Sequence, residues 1–158
     1  MVHTPEENKA LIERYPFLLP RNRWTDEVVK DFDYSYTELD DMPDGWRIAF
    51  GEQMCEDIRE ELLRIGHLDK YRITQIKEKY GYLRWYDRGH TEKMSKEIFP
   101  KYVRLSQRTC IQCGKPATQI TTGWICPWCD ECASELNERT ISIEEYYAEI
   151  GQEDEEED

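Results

Sequence analysis

Five of the six cysteines in this chain fall between residues 110 and 132, in the run CIQCGKPATQITTGWICPWCDECA. Thiolates are soft ligands, and four of them meet the tetrahedral preference of zinc. A Cys-x-x-Cys turn lets two sulfurs reach one ion without strain, so two such turns must converge to close a site. Cys110 and Cys113 make the first turn, followed at once by Gly114, a residue free to adopt positive φ. For the second turn two pairs overlap, Cys126-Pro-Trp-Cys129 and Cys129-Asp-Glu-Cys132. Pairing with Cys129 and Cys132 leaves fifteen residues between the turns, inside the usual window of about 15–20. Pairing with Cys126 and Cys129 leaves twelve, and Pro127 removes a backbone donor of the kind thiolates use. Spacing therefore favours Cys110, Cys113, Cys129 and Cys132, with Cys126 an extra thiol or a substitute ligand. Four thiolates leave no position open for water, so the expected zinc is structural. Its binding is worth roughly 10–16 kcal/mol to a segment with little core of its own.

Other chemistry is thinly represented. The three histidines are His3, His67 and His90, and the chain has no HExxH, no glycine-rich phosphate loop and no nucleophile elbow. A zinc-framed nuclease of the His-Asn-His type needs a histidine between its cysteine pairs, and residues 114–128 contain none. His90 reads as an exposed residue in a turn. The Cys126-Pro-Trp-Cys129 motif looks like a glutaredoxin redox pair, but in such folds much of the sheet comes after the motif, and 29 residues follow here. A non-catalytic protein is the expectation. Cys55, alone inside a helical stretch, reads as a small buried hydrophobe.

Charge narrows the partners. The 158 residues carry a net charge of −13, which argues against general affinity for DNA and favours a protein partner with basic groups. The distribution is uneven: residues 70–108 hold eleven Lys or Arg and four Asp or Glu, a net of +7, which leaves −20 on the rest. Lys77, Lys79, Arg84 and Arg88 lie among Tyr80, Tyr82, Trp85 and Tyr86. Lys77, Lys79, Arg84, Trp85 and Arg88 are thus a candidate binding surface, because cations interleaved with aromatics can hold phosphates and stack bases. The plainer use of these cations is pairing with acidic helices of the same protein.

The elements that must position these groups follow from periodicity. Residues 6–20 open as a short helix that Pro16 and Pro20 stop. Residues 31–45 read as a loop ending in DDMPDG. The clearest helix runs from about Trp46 to Ile65, with Asp44 as its cap and Gly66 as its left-handed end. Trp46, Phe50, Met54, Ile58, Leu62 and Ile65 line one face, and Glu52, Glu56, Arg59 and Glu60 mostly the other. Residues 71–87 predict two strands joined near Lys79–Gly81, with Leu83 and Trp85 on one side and Tyr82, Arg84 and Tyr86 on the other. Residues 91–108 are helical with an interruption at Pro100, where the last stretch begins. Ser142 and Glu145 suit a capping box opening a helix to about Ile150. The tail GQEDEEED is a like-charge run expected to be disordered.

No apolar run nears the roughly 20 residues of a membrane helix, and the polar, acidic N-terminus is unlike a signal peptide. A cytoplasmic protein is expected, where clustered cysteines read as metal ligands rather than disulfides. The expected fold is α+β: amphipathic helices on a short antiparallel hairpin or sheet, with a C-terminal zinc ribbon of four cysteines. Residues 1–45 would pack on a core at 46–109, residues 110–133 form the ribbon, and 134–158 add a short helix and the acidic tail.

In order, the chain presents YPFLL, DGW at a helix start, QIKEKYGYLRWY, then SQRTCIQCG, a Gly123-Trp124 pair and CDEC. This pattern, over about residues 11–133, resembles a family of small uncharacterised zinc-binding proteins of bacteriophages, prophages and their bacterial hosts. In that family a second knuckle, Cys-x-x-His or Cys-x-x-Cys, begins five residues after the tryptophan, which the resemblance carries onto Cys129 and Cys132. It implies no established activity, only a zinc-binding protein of mobile elements. A protein-interaction module that binds or inhibits a host or phage protein, defence systems included, is the expected role. The other reading is a zinc-ribbon nucleic-acid binder using the hairpin at 71–88.

Overall fold

The computed structural model describes residues 2–150; the acidic run expected to be disordered lies outside them. The fold is α+β, 46% helical, with two small antiparallel sheets. Helix α1 (Pro5–Arg14) opens on a Thr4–Glu7 capping box, with Pro5 supplying a first-turn residue that needs no N–H. Short 3-10 turns at Pro16–Leu18 and Glu38–Asp41 carry Phe17, Leu18 and Leu39 into the core.

The amphipathic helix expected from Trp46 spans α2 (Asp44–Trp46), a wide π turn (Arg47–Gly51) and α3 (Glu52–Ile65). Pro43, rather than Asp44, occupies the cap, and Asp44 is the first helical residue. Trp46, Met54, Ile58 and Leu62 are fully buried, each apolar side chain contributing roughly 1.5–3 kcal/mol on removal from water. Gly66 ends the helix at φ 73°, and the His67 N–H reaches back to the Leu62 carbonyl at 2.9 Å. These bonds satisfy orphan carbonyls at a conformation that favours glycine.

Strands β1 (Arg72–Lys79) and β2 (Tyr82–Arg88) form an antiparallel hairpin. Its two-residue turn places Tyr80 at φ 54° and Gly81 at φ 83°, the left-handed pair that matches strand twist. A bulge between Ile73 and Gln75 lets Ile73 and Ile76, three apart, both face the core. Leu83 and Trp85 share a side and join the main core cluster, and Tyr82 and Arg84, expected on the other side, are buried as well. Both sides of the start of β2 are covered, one of them by chain that sequence periodicity does not reveal.

The last α-helical stretch begins one residue before Pro100, close to the start expected there, but the chain runs into it without a break. A π turn at Met94–Ile98 leads into α4 (Phe99–Gln107), with Pro100 in its first turn. A wide turn gives room where the proline ring would strike a preceding carbonyl. Helix α4 packs on β2, and the Leu83 N–H donates to Ser106 Oγ at 2.9 Å.

Beyond the first cysteine pair come β3 (Gln119–Thr121), β4 (Cys126–Trp128), α5 (Asp130–Ser134), β5 (Thr140–Ser142) and α6 (Ile143–Ile150). The second sheet has the order β4-β3-β5. Strand β5 pairs with β3, so the segment from 134 onward contributes a strand to the cysteine-bearing sheet, and α6 begins directly after Ser142.

Candidate metal centre

The first cysteine turn is built onto the core rather than hung from it. The Gly45 N–H donates to the Ile111 carbonyl at 2.9 Å, and Trp46 Nε1 donates to the Thr109 carbonyl at 3.0 Å. A Cβ on Gly45 would lie 2.6 Å from the Ile111 carbonyl carbon and closer still to the Cys110 carbonyl oxygen. Only glycine permits that approach. Gly114, at φ 84°, sits against the same place, and its Cβ would meet the Gly45 carbonyl oxygen at 2.7 Å. The Asp44-Gly45-Trp46 helix start and the Cys110–Gly114 turn therefore hold each other.

The second turn is positioned by the small sheet. The Ile111 N–H donates to the Pro127 carbonyl at 3.0 Å, tying β4 to the first turn. Cys129 then caps α5, its sulfur accepting the Cys132 N–H at 3.4 Å. Lys115 and Glu131 form an ion pair across the two turns at 3.1 Å.

The outcome is a cluster of four sulfurs, those of Cys110, Cys113, Cys129 and Cys132, all within 4.8 Å of one another. Cys113 Sγ and Cys129 Sγ are 3.6 Å apart. Zinc–sulfur bonds of about 2.3 Å in a tetrahedron put sulfurs about 3.8 Å apart, so the donor set fits a metal ion such as zinc in number, type and spacing. Cys126 lies outside this group, in β4 with its N–H bonded to Thr121 Oγ1 at 3.2 Å.

The electrostatics separate the thiols. Burial alone would raise the Cys110 thiol, but backbone N–H groups of Cys129, Cys113 and Gln112 aimed at its sulfur outweigh that and bring it to about 7. Burial, then the neighbouring thiols of Cys129 and Cys113, push Cys132 up. Cys113 is also raised: the Lys115 N–H favours its thiolate, but burial and the adjacent thiols prevail. Sulfurs this close cannot all ionise without a cation, and a bound dication reverses that balance. Cys126 is different. Burial, then the charges of Glu78 and Glu138, raise it to about 12, which suits a neutral thiol better than a ligand.

The structure separates the residues of the candidate basic surface. Lys77 and Lys79 are half-buried, lying over the rings of Tyr86 and Tyr80 at 5.8 and 5.6 Å from the centroids. Arg88 is exposed, 3.9 Å from Asp26. Arg84 is 3% exposed and donates to the Tyr82 hydroxyl at 2.8 Å. Trp85 is 5% exposed, with Nε1 donating to the Tyr71 hydroxyl at 2.9 Å. Arg84 and Trp85 are thus inside the protein and do not offer a solvent-facing surface.

Sequence reading missed a different feature, Trp24, whose ring is 95% exposed. Its loop is tightly held. Asn22 Oδ1 accepts from the N–H groups of Trp24 and Thr25 at 2.8 and 3.0 Å. Asp26, at φ 65°, is fixed by Arg72 Nε at 2.8 Å and by Arg21 on its carbonyl at 2.7 Å. The signal in the sequence was slight: one tryptophan in a polar run that offers an Asn turn.

Comparison with family models, with curated proteins and with solved structures gives no match for this chain. Among the described residues no helix is long and apolar enough to cross a membrane.

Proposed function

We propose that this chain is a non-catalytic accessory protein of the bacteriophage or prophage type, held together by one structural zinc and built to engage a protein partner. The observation that carries the zinc is the convergence of Cys110, Cys113, Cys129 and Cys132 within 4.8 Å. Four thiolates fill a tetrahedral shell, so the metal's work is to fold the chain rather than to activate water. The resemblance of its motifs to small proteins of mobile elements supports the phage setting.

Trp24 supplies the partner face. A strained, bonded loop that leaves an indole in water has no folding reason to do so, and tryptophan is over-represented at the energetic centre of interfaces. Arg23 and Arg88 flank it, with Arg88 Nη1 on the Arg23 carbonyl at 3.4 Å. A partner pocket that takes the indole, binding or blocking a host factor, fits that chemistry. The nucleic-acid reading of the hairpin has less to work with, since Arg84 and Trp85 are buried.

Metal analysis of purified protein is expected to give one zinc per chain, and none in a Cys110→Ser, Cys129→Ser double variant. Capture from bacterial lysate tests the partner. The zinc-loaded protein should retain one stoichiometric protein that Trp24→Ala loses. Capture of nothing, or capture indifferent to Trp24→Ala, overturns the interaction reading and leaves the metal reading standing.

A further inference from the structure

Asp87 and His90, at the end of the hairpin, form an arrangement that neither the zinc reading nor the partner reading uses. The side chain of Asp87 is 3% exposed, an expensive place for a carboxylate unless its oxygens are occupied. One accepts the hydroxyl proton of Tyr71, which itself accepts Trp85 Nε1–H at 2.9 Å. The other faces His90 Nδ1 at 2.7 Å. An ionised carboxylate can only accept, so Nδ1 is the donor of this bond, and in the tautomer it selects Nε2 is the nitrogen with the lone pair. Phe99 meets the imidazole edge-on, centroids 6.0 Å apart. A buried chain of three side chains thus fixes both the tautomer and the angle of a ring that is 49% exposed.

This histidine lines a cavity of about 380 Å3, a size that suits a small molecule. The floor is apolar and rigid, made by Met54, Leu83 and Val103, all buried. Trp85 and Phe99 supply aromatic walls, and His90 and Ser95, both exposed, stand on its solvent side. No Lys or Arg among the described residues lines it, and Asp87 sits at its edge. An anionic ligand would find repulsion there and no countercharge. The apolar floor favours an aromatic body, and the imidazole nitrogen held in place by Asp87 favours a donor on it.

We propose that this cavity is a small-molecule site for a neutral, hydroxyl-bearing aromatic compound, its ring against Trp85 and Phe99 and its hydroxyl donated to His90 Nε2. Asp87 and Tyr71 are positioning residues: they hold the imidazole so that the acceptor nitrogen is the one left free. No cysteine among the described residues lines the cavity, so the site stands or falls separately from the metal cluster.

Two probes separate the hydroxyl from the ring: 4-methylphenol and toluene, each titrated into zinc-loaded, methionine-methyl-labelled protein and followed by NMR. Both should shift the Met54 methyl, with 4-methylphenol about tenfold tighter, the equivalent of one good hydrogen bond to a fixed acceptor. His90→Ala removes an exposed side chain and leaves the floor in place, so it should bring the two affinities together. The nitrogen spectrum of His90 should show the proton on Nδ1. No shift of Met54 with either probe, equal affinities in the wild type, an advantage for the phenol that survives His90→Ala, or a proton on Nε2 would overturn the proposal.

Discussion

The two sheets of this protein are held by different physics. Strands β1 and β2 run eight and seven residues and lay Ile73, Ile76, Leu83 and Trp85 into one large cluster with Trp46, Met54, Ile58 and Leu62. The strands of the β4-β3-β5 sheet run three residues each. Behind them stand a cluster of Ile120, Ile143 and Tyr147 and another made mainly of cysteines with Trp128. Three-residue strands on so little apolar surface do not offset the entropy of ordering themselves. The hairpin region folds by burial, whereas the cysteine region has little core and four converged thiols that could hold a metal ion, and the first cysteine turn, locked to Gly45 and Trp46, joins them.

Metal removal should break that contrast open. With a strong chelator, or in Cys132→Ser, we expect the amides of β3, β4 and α5 to lose hydrogen-exchange protection while those of β1, β2 and α3 retain most of theirs. The metal term is about 10–16 kcal/mol in small zinc modules, the largest effect available in the molecule. Uniform loss of protection in both sheets would show that the regions do not differ in what holds them. No loss anywhere would show that the cysteine region needs no ion.

The joint itself is the next target. Gly45→Ala places a methyl against the Cys110 and Ile111 backbone, where carbonyl groups cannot swing aside as side chains do. We expect a cost of roughly 3 kcal/mol or more, in the range of severe overpacking, together with weaker zinc retention in a competition with a chromophoric chelator. Ala10→Gly, exposed inside α1, is the control, costing about 1 kcal/mol with zinc retention unchanged. If Gly45→Ala destabilises the hairpin region yet holds zinc as tightly as before, the joint transmits nothing and the two regions are independent.

What the sequence disclosed, and what it hid, follows the same division. Local patterns were legible: the helical stripe from Trp46 to Leu62, the hairpin turn at Tyr80–Gly81, and the spacing that picks Cys129 and Cys132 over Cys126, the set the structure brings together. Each depends on neighbours a few residues apart. The closure of Gly45 on Cys110 spans 65 residues of chain and was invisible, because nothing local asks for a glycine there. Burial of Arg84 was hidden too, since alternation assumes one wet face and the start of β2 has none. The π turn before Pro100 escaped because a proline in a helical pattern ordinarily marks a break. Pairing of β5 with β3 escaped because three residues carry no readable period.

Acidity acts on the two regions with opposite sign. Glu38, in the 3-10 turn packed against β1, has its carboxyl raised from the ordinary 4.5 to about 7, by burial first, with Arg23 opposing and Asp41 adding to the rise. A raised carboxyl holds its proton more tightly folded than unfolded. Its contribution to stability is therefore complete below about pH 4.5 and fades as pH rises through 7. The thiolate site runs the other way, since ligands must lose protons to bind metal. With zinc in excess, denaturant unfolding followed at the hairpin should show about 1–2 kcal/mol less stability at about pH 8.5 than at about pH 5.5, allowing for solvent screening. Glu38→Gln should flatten that difference. An equal difference in the variant would move the cause to another group.

The smallest expected effect concerns Cys126, and it decides which thiols belong to which region. As a fourth ligand in place of Cys132, its loss would empty the metal site. As a neutral thiol buried in β4, raised to about 12 by burial and by the charges of Glu78 and Glu138, its loss is a packing matter. Cys126→Ala should then keep one zinc per chain and cost about 1 kcal/mol, the loss of one buried atom's contacts. Cys132→Ala, treated identically, should lose the metal. Reversal of that pair of results would place the ion against Pro127, and the cluster of four sulfurs drawn together by the two turns would have to rearrange around it.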